Sequence, residues 1–492
     1  MHPALLISEV LLDIFTHVNK IPGPPNGRQL SLAALARTCK TFHEPAMDLL
    51  WAQLNGIEPL LGCVTRLHAM IYGHVVWSDL KPLSEHEINL FLRHAVRVRL
   101  MHITSHVHFH LLSVLPNDTC MFPRLLSLST IARPTKYLYL FLSPTLRWCV
   151  LPNIHLDLEF IVTRCAGLRH LSIRSFDESA SDKLSLLSRS VRLCRQLVTL
   201  SCPPLDLAAW EHLSNLPTLL AVVITRTMIT VPCPLDLVNL NFASFLNLTT
   251  LYFFVKTAEY PIAVMQHSGF PALKKFEMVV HAFSWTEAEQ LFRALSQCKA
   301  CQTLEHISIA SYDPDVQQPS GNSFTAVTHF LCFTQLRTLR LMLRHFIFLN
   351  NDLLLEAMSS WPHIRSLELV DRQMASAVTF RGLFTALRRC PHLHTLHLLL
   401  DAQHIDIDPK AESFQHTALQ ILDLTWSHVA DAEAVARIIF SMLPCVDRVA
   451  QIGTWCTGSR PKEEWYEVNR HLKSLKSSAV LGCHITGEAA KS

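Results

Sequence analysis

Leu393-His394-Thr395-Leu396-His397-Leu398 places leucines at the first, fourth and sixth positions of a hexad. The spacing returns at Leu168-Arg169-His170-Leu171-Ser172-Ile173, Leu248 to Phe253, Leu304 to Ile309, Leu336 to Leu341, Ile364 to Leu369 and Leu419 to Leu424, and weaker copies begin at Val98, Leu125, Leu146, Leu197, Leu219 and Leu273. In an extended chain the fourth and sixth residues share one face while the residues between them turn to the other. Each hexad therefore predicts a short strand with one apolar side. Copies recur about every 27 residues between Leu125 and Leu419, which leaves room for a return path. Several return paths read as helices. Asn351 to Trp361 opens on an Asn or Asp cap with Leu354, Leu355 and Met358 at helical spacing, and Thr286-x-x-Glu289 reads as a capping box ahead of Leu291, Phe292 and Leu295. Asp431 leads into Val435, Ile438, Ile439 and Met442, and further helices are expected at Asp182 to Leu193 and Thr379 to Arg389. Cys390-Pro391, Leu443-Pro444 and Trp361-Pro362 stop helices and return the chain to the next strand.

This hexad and period are those of a leucine-rich repeat. The expected fold class is α/β, an irregular leucine-rich-repeat solenoid over residues 95–456, with short parallel strands on the concave side and helices on the convex side. A regular repeat carries Asn or Cys three residues after the last leucine; here those positions hold Phe176, Lys256, His281, Tyr312, Arg344, Arg372 and Asp401. No asparagine ladder is expected, and the loops should be uneven.

Composition narrows the function classes. Only 13 of 492 residues are glycine and no G-x-G-x-x-G or G-x-x-x-x-G-K-[ST] occurs, which argues against nucleotide chemistry of the usual kinds. Apolar residues make up 49% and charged residues 17%, enough for a large core. The 43 Lys and Arg against 40 Asp and Glu give +3, too dispersed to predict a nucleic-acid partner. Fifteen scattered cysteines read as reduced, mostly buried thiols. Met1 to Asn19 carries Glu9 and Asp13 and no basic leader, and Leu237 to Val255 is uncharged but rich in Asn, Ser and Thr, so neither secretion nor a membrane span is expected. The expected location is cytoplasmic, nuclear or both.

The first fifty residues differ from the repeats. Val10, Leu11, Ile14, Phe15 and Val18 form one helical stripe, Ile21 to Gly27 reads as a breaker, a second helix is expected after a Ser31 cap with Leu32, Leu35, Ala36, Cys39 and Phe42, and a third after Pro45 with Met47, Leu50, Trp51 and Leu54. A unit this small buries its apolar surface incompletely, which leaves part of it for a partner.

Leu6 to Phe15, followed by Leu32 to Phe42 with its Ala36-Arg37-Thr38-Cys39-Lys40, and then Leu49-Leu50-Trp51, resembles an F-box, with Ile7 where that family usually has proline. The order of F-box and leucine-rich repeats is most similar to the expanded F-box families of basidiomycete fungi. The resemblance implies a substrate receptor of a Skp–cullin–F-box ubiquitin ligase, docking on the Skp-type adaptor and holding an unknown protein target on the repeats. By matching motif positions, Leu6, Leu11, Ile14, Phe15, Leu32, Leu35, Cys39 and Phe42 are candidate adaptor contacts, some of them facing the unit's own core. Candidate target contacts are the outward residues between repeat leucines: Lys275, Glu277, His306, Arg340, Glu368, His397 and Asp423. The alternatives are a repeat scaffold without a ligase role and a metal-dependent enzyme.

Catalysis and cofactors are not expected. His106, His108 and His110, read as a strand beyond His102, would share one face as zinc requires, but no fourth ligand stands at consistent spacing. Cys298-Lys299-Ala300-Cys301 is a lone C-x-x-C, and no G-x-S-x-G elbow places a nucleophile. The expected boundaries are a helical unit at 1–54, a helical connector at 55–94 in which Ser84-x-x-Glu87 caps a helix, the solenoid at 95–456, and a cap and tail at 457–492 with a helix from Trp465 to Leu475.

Overall fold

A computed structural model describes residues 7–20, 25–73, 80–116, 119–131, 137–174, 181–225, 244–311, 326–343, 347–371, 376–424, 426–449 and 463–489. They fall into two compact units, the first ending at Leu219 and the second starting at Leu220.

The first unit opens with helices α1 (Ser8–Lys20), α2 (Pro25–Ala36) and α3 (Lys40–Leu50). It continues through β1 (Gln53–Asn55), α4 (Glu58–Leu61), α5 (Thr65–Tyr72), α6 (Glu85–Ala95), β2 (Leu100–Ile103), β3 (Ser127–Thr130), β4 (Trp148–Leu151), α7 (Leu158–Arg164), β5 (His170–Ile173), α8 (Ser181–Leu193), β6 (Thr199–Cys202) and α9 (Leu207–Ser214). Strands β1 to β6 pair in chain order, all parallel.

The second unit runs β7 (Ala221–Ile224), β8 (Thr250–Val255), α10 (Glu259–His267), β9 (Lys275–Val280), α11 (Trp285–Gln297), β10 (His306–Ser311), β11 (Thr338–Leu343), α12 (Asn351–Ser360), β12 (Ser366–Asp371), α13 (Phe380–Leu387), β13 (Thr395–Leu398), β14 (Ile421–Asp423), α14 (Ala432–Met442) and α15 (Glu463–Ala489). Strands β7 to β14 are again parallel and in order. Both units are leucine-rich-repeat solenoids. Each hexad copy leads into a strand, and its fourth and sixth residues, such as Leu339 and Leu341 or Leu396 and Leu398, are buried against the helices. Some crossovers that could have held an α-helix carry only a short 3-10 turn, as at Phe109–Leu112, Leu138–Phe141 and Ala326–Phe330.

Two devices replace the missing asparagine ladder. At strand entry one carbonyl accepts two consecutive N–H groups from the next repeat: Arg147 O takes Arg169 N at 2.9 Å and His170 N at 2.8 Å, and Arg337 O takes Arg365 N at 2.8 Å and Ser366 N at 3.1 Å. The residue before the first hexad leucine then staples backward. Thr145, Thr218 and Thr303 donate their hydroxyls to the carbonyls of Leu125, Leu197 and Leu273, each the first hexad residue of the preceding repeat, at 2.9, 2.7 and 2.8 Å. Buried carbonyls are thereby paired without asparagine.

The structure corrects several expectations. Strand β1 pairs with β2, so the solenoid starts near Gln53, and the supposed connector is the helical crossover of its first turn. Helix α2 starts at Pro25, because proline at a first helical position loses no bond the helix would make; Ser31 lies inside it, its hydroxyl on Gly27 O at 3.0 Å. Pro45 sits inside α3, where packing of neighbouring Ala46 into the core overrides the lost backbone bond. The capping box on α11 is Ser284 with Glu287, two residues ahead of the expected pair. His106 to His110 forms no strand, since the chain turns and enters a 3-10 helix at Phe109. The expected cap Ser84 accepts from the first turn of α6, and Thr379 and Asp431, at the starts of the helices expected there, accept from the first turns of α13 and α14. Helix α15 runs to Ala489, well past Leu475, and buries Trp465, Val468 and Leu472.

Glycine is required at Gly382 in α13. A Cβ there would stand 1.8 Å from Asn351 Oδ1, which accepts from Thr379 N at 2.9 Å.

Candidate functional site

Strand register assembles the outward residues of the second unit into rows. The row Tyr252, Glu277, Ser308, Arg340, Glu368, His397, Asp423 runs across β8 to β14 with each residue directly opposite the next. Five of the seven predicted target contacts lie in it. Lys275 and His306 stand opposite each other in the adjoining row. Neighbouring strands are about 4.8 Å apart, so side chains of opposite charge meet across them.

Glu277 gathers the first group. His306 Nε2 lies 3.0 Å and Lys275 Nζ 3.1 Å from its Oε1, and the His306 hydrogen bond, followed by that of Lys275, holds its carboxyl below the usual range. Arg340 Nε reaches Glu368 Oε2 at 2.9 Å. Burial pushes the Glu368 carboxyl up, and the arginine opposes that shift only in part. The row closes toward β14. His397 and Asp423, 3.5 Å apart, retain 6% and 0% side-chain exposure, whereas Lys275 keeps 43% and Arg340 30%. His397 and Asp423 are therefore a buried pair and not surface contacts, which corrects the expectation for both. The open charged residues are Glu277 and Arg340 of this row and Lys275 and His306 of the adjoining one.

Sequence reasoning passed over Tyr252 and Ser308 in the charged row, and a third row, Phe254, Val279, Ala310, Met342, Val370, two residues further along each strand. Its signal was the alternation continuing past the last hexad leucine in Thr250–Val255, Lys275–Val280 and Thr338–Leu343. An apolar lane thus runs beside a charged one, with Phe254, Val279 and Met342 half-buried.

The helical unit at the N-terminus has its own core of Leu11, Phe15, Leu32, Ala36 and Ala46, with Leu35, Phe42, Met47, Leu49 and Leu50 packed against it. Phe15 meets the edge of Phe42 at 5.4 Å and 82°. Leu11, Phe15 and Leu32 are at most 2% exposed and are spent inside the unit; among the candidate adaptor contacts these three face the unit's own core. Leu35, Cys39 and Phe42 are half-buried, and Leu6 lies outside the described residues. Ile14 is exposed, and so are Ile7, just ahead of α1, and Leu30 on α2, neither of which was a candidate. Arg97, at the entry to β2, clamps α3 by reaching Asp48 and, at 2.6 Å, Glu44, while Trp51 stacks on His94 at 4.4 Å.

Among the described residues no three His, Cys, Asp or Glu side chains are placed to hold a metal ion. Cys298 is buried and burial pushes its thiol up; Cys165, Cys194 and Cys390 are pushed up to about 12. Thiols so protonated are poor nucleophiles. Among the described residues no helix is long and apolar enough to cross a membrane.

No protein-family model matches the chain, and no curated protein matches it. Solved structures resemble it at low identity. An internalin of Listeria monocytogenes is 10% identical with a TM-score of 0.36, covering 84% of this chain and 96% of that one. A leucine-rich-repeat protein of Leptospira interrogans is 13% identical with a TM-score of 0.32, covering 76% and 100%. Rad7 from its yeast complex with Elc1 is 15% identical with a TM-score of 0.35, covering 92% and 91%.

Proposed function

We propose that this chain is a non-catalytic protein-interaction scaffold whose second unit holds a protein target on its strand face. The observation that carries this reading is the register-matched pair of lanes, charged at Lys275, Glu277, His306 and Arg340 and apolar at Phe254, Val279 and Met342. Charged groups fix register and exclude wrong partners, while the apolar lane supplies area to bury. Affinity purification of the full chain against a Glu277→Lys, Arg340→Glu variant tests it. A set of proteins retained by the parent and lost in the variant is expected; identical sets from both overturn the reading.

A finer reading adds the adaptor. The three-helix unit leaves Ile7, Ile14 and Leu30 exposed, an apolar surface of the kind that docks in a groove, and its motif resembles an F-box. The chain would then be the substrate receptor of a Skp–cullin–F-box ubiquitin ligase, contributing proximity rather than chemistry. Purified Skp-type adaptor should bind the full chain at micromolar concentration and lose that binding in Ile14→Lys, Leu30→Lys. Absence of binding to the parent chain, or equal binding to both, removes this reading and leaves the scaffold.

A further inference from the structure

The strand face of the first unit has a different chemistry. Across β2 to β6 its two outward rows contain no Asp, Glu, Lys or Arg. The positions at which the chain enters β2, β3, β4 and β5 are Arg99, Leu126, Arg147 and Arg169, linked by the doubled carbonyl bonds described above. Arg147 and Arg169 are exposed and stand on adjacent strands, with Arg169 N on Arg147 O at 2.9 Å. Neither makes an ion pair with a described residue. Like charges side by side on neighbouring strands repel, so an arrangement of this kind gains from a counter-anion.

Several acids of this unit are engaged elsewhere. Glu44 and Asp48 hold Arg97, Glu159 pairs with Arg189 at 3.2 Å, and Asp206 caps α9. The same entry row in the second unit supplies an internal contrast. There Glu305 stands between Lys274 and Arg337 and pairs with both, at 3.5 and 3.2 Å. In that stretch an acid sits between two bases, whereas no acid stands in the entry row of the first unit.

Apolar groups lie beside the arginines. Trp148, 45% exposed, stacks on His170 at 4.4 Å, and Leu100 and Leu126 are exposed as well. His170 is tethered sideways through Nδ1 to Thr199 Oγ1 on the next strand at 2.6 Å, which holds the ring in the stack. From Arg99 to Arg169 the row spans about 14 Å at three strand spacings, the reach of a short extended segment.

We infer that the strand-entry edge of the first unit binds an acidic protein segment, its carboxylates on Arg99, Arg147 and Arg169 and its apolar side chains on Leu126 and Trp148. Guanidinium groups fit carboxylates in paired hydrogen bonds, and tryptophan and arginine are the residues that most often anchor interfaces. The apolar lane favours a peptide over a nucleic-acid backbone, which would need more cations in line. The inference rests on the scaffold reading but concerns the other unit. A chain that ignores the peptide while still retaining proteins through Glu277 and Arg340 overturns this assignment alone.

The test uses the full chain and a fluorescein-labelled octapeptide of alternating glutamate and leucine, read by anisotropy at low and physiological salt. Arg147→Glu with Arg169→Glu should weaken binding about tenfold or more, Arg147→Gln with Arg169→Gln should weaken it less, and added salt should weaken the parent. Arg365→Glu, an exposed arginine on the entry row of the second unit, should leave it unchanged. Both arginines are exposed, so thermal melts of the variants should match the parent. Equal binding by the double reversal, equal loss in Arg365→Glu, or tighter Arg147- and Arg169-dependent binding of oligothymidylate or phosphatidylserine vesicles overturns the assignment.

Discussion

Replacing Phe15 with alanine and, separately, Ile14 with lysine separates core from surface in the N-terminal unit, although the two residues are adjacent in sequence. Phe15 is 2% exposed and meets Phe42 edge-on, so its truncation removes a buried ring and leaves a cavity, costing about 3–5 kcal/mol. The aromatic pair adds about 0.5–1.5 kcal/mol beyond the buried area. A three-helix unit with so few core residues has little more than that to lose. Phe15→Ala should therefore open α1 to α3 while the strands from β2 onward stay folded, because the solenoid's stability is carried between neighbouring repeats. Ile14 is 41% exposed, and its change to lysine should shift stability by no more than about 0.5 kcal/mol. Native-state hydrogen exchange reads the two regions separately. Phe15→Ala should bring the amides of residues 8–50 close to unprotected rates and Ile14→Lys should leave them as in the parent. Equal loss of protection in both variants would refute the assignment of Phe15 to the core and Ile14 to the surface of α1, and with it the use of Ile14 as a surface probe.

Two further outcomes are expected. Gly382→Ala should destabilise the α12–α13 pair by about 1–3 kcal/mol, because the new methyl displaces Asn351 from Thr379; unchanged exchange in α12 and α13 would contradict the close approach. Glu87 accepts from Arg66 Nε at 2.5 Å and from Ser84 N at 2.8 Å, and chiefly the Arg66 bond lowers its carboxyl from 4.5 to about 2. A carboxyl depressed on folding stabilises the folded state above its unfolded pKa, and that contribution is lost as pH falls from about 4.5 toward 2. With Arg66 37% exposed and screened by solvent, Arg66→Gln should cost about 1 kcal/mol at pH 7 and progressively less on acidification; a penalty independent of pH would exclude the pair as its source.

The strands were legible because the hexad is a local pattern: burial at positions four and six decides a strand wherever neighbours repeat it. Strand β1 was not, since Gln53-Leu54-Asn55 offers a single inward residue and follows directly on a helical stripe. The boundary error followed from that. Ser284 and the expected cap Thr286 both have glutamate three residues on, and telling one from the other requires knowing where β9 ends. Candidate target residues were placed on the correct face by alternation, but alternation does not say how deep a face lies. His397 and Asp423 point away from the leucines and are nonetheless buried. In the N-terminal unit the resemblance named positions without dividing them between inside and outside, so Leu11, Phe15 and Leu32 were grouped with Ile14. The arginine edge escaped notice because net charge averages over the whole chain, whereas Arg147 and Arg169 become neighbours only through strand register.

The paired bonds at each strand entry give the coil interchangeable joints. One carbonyl receives two N–H groups in the same way at Arg99, Leu126, Thr249, Glu305 and His394, whatever side chain the position carries. Excising one complete turn, from one entry carbonyl to the next, would present the same socket to the following coil and lose only that turn's contribution. A cut in the middle of a turn would leave a donor pair facing no acceptor. Growth and shortening of such a chain by whole repeats is therefore cheap, and lengths that are not whole repeats are penalised by the backbone itself.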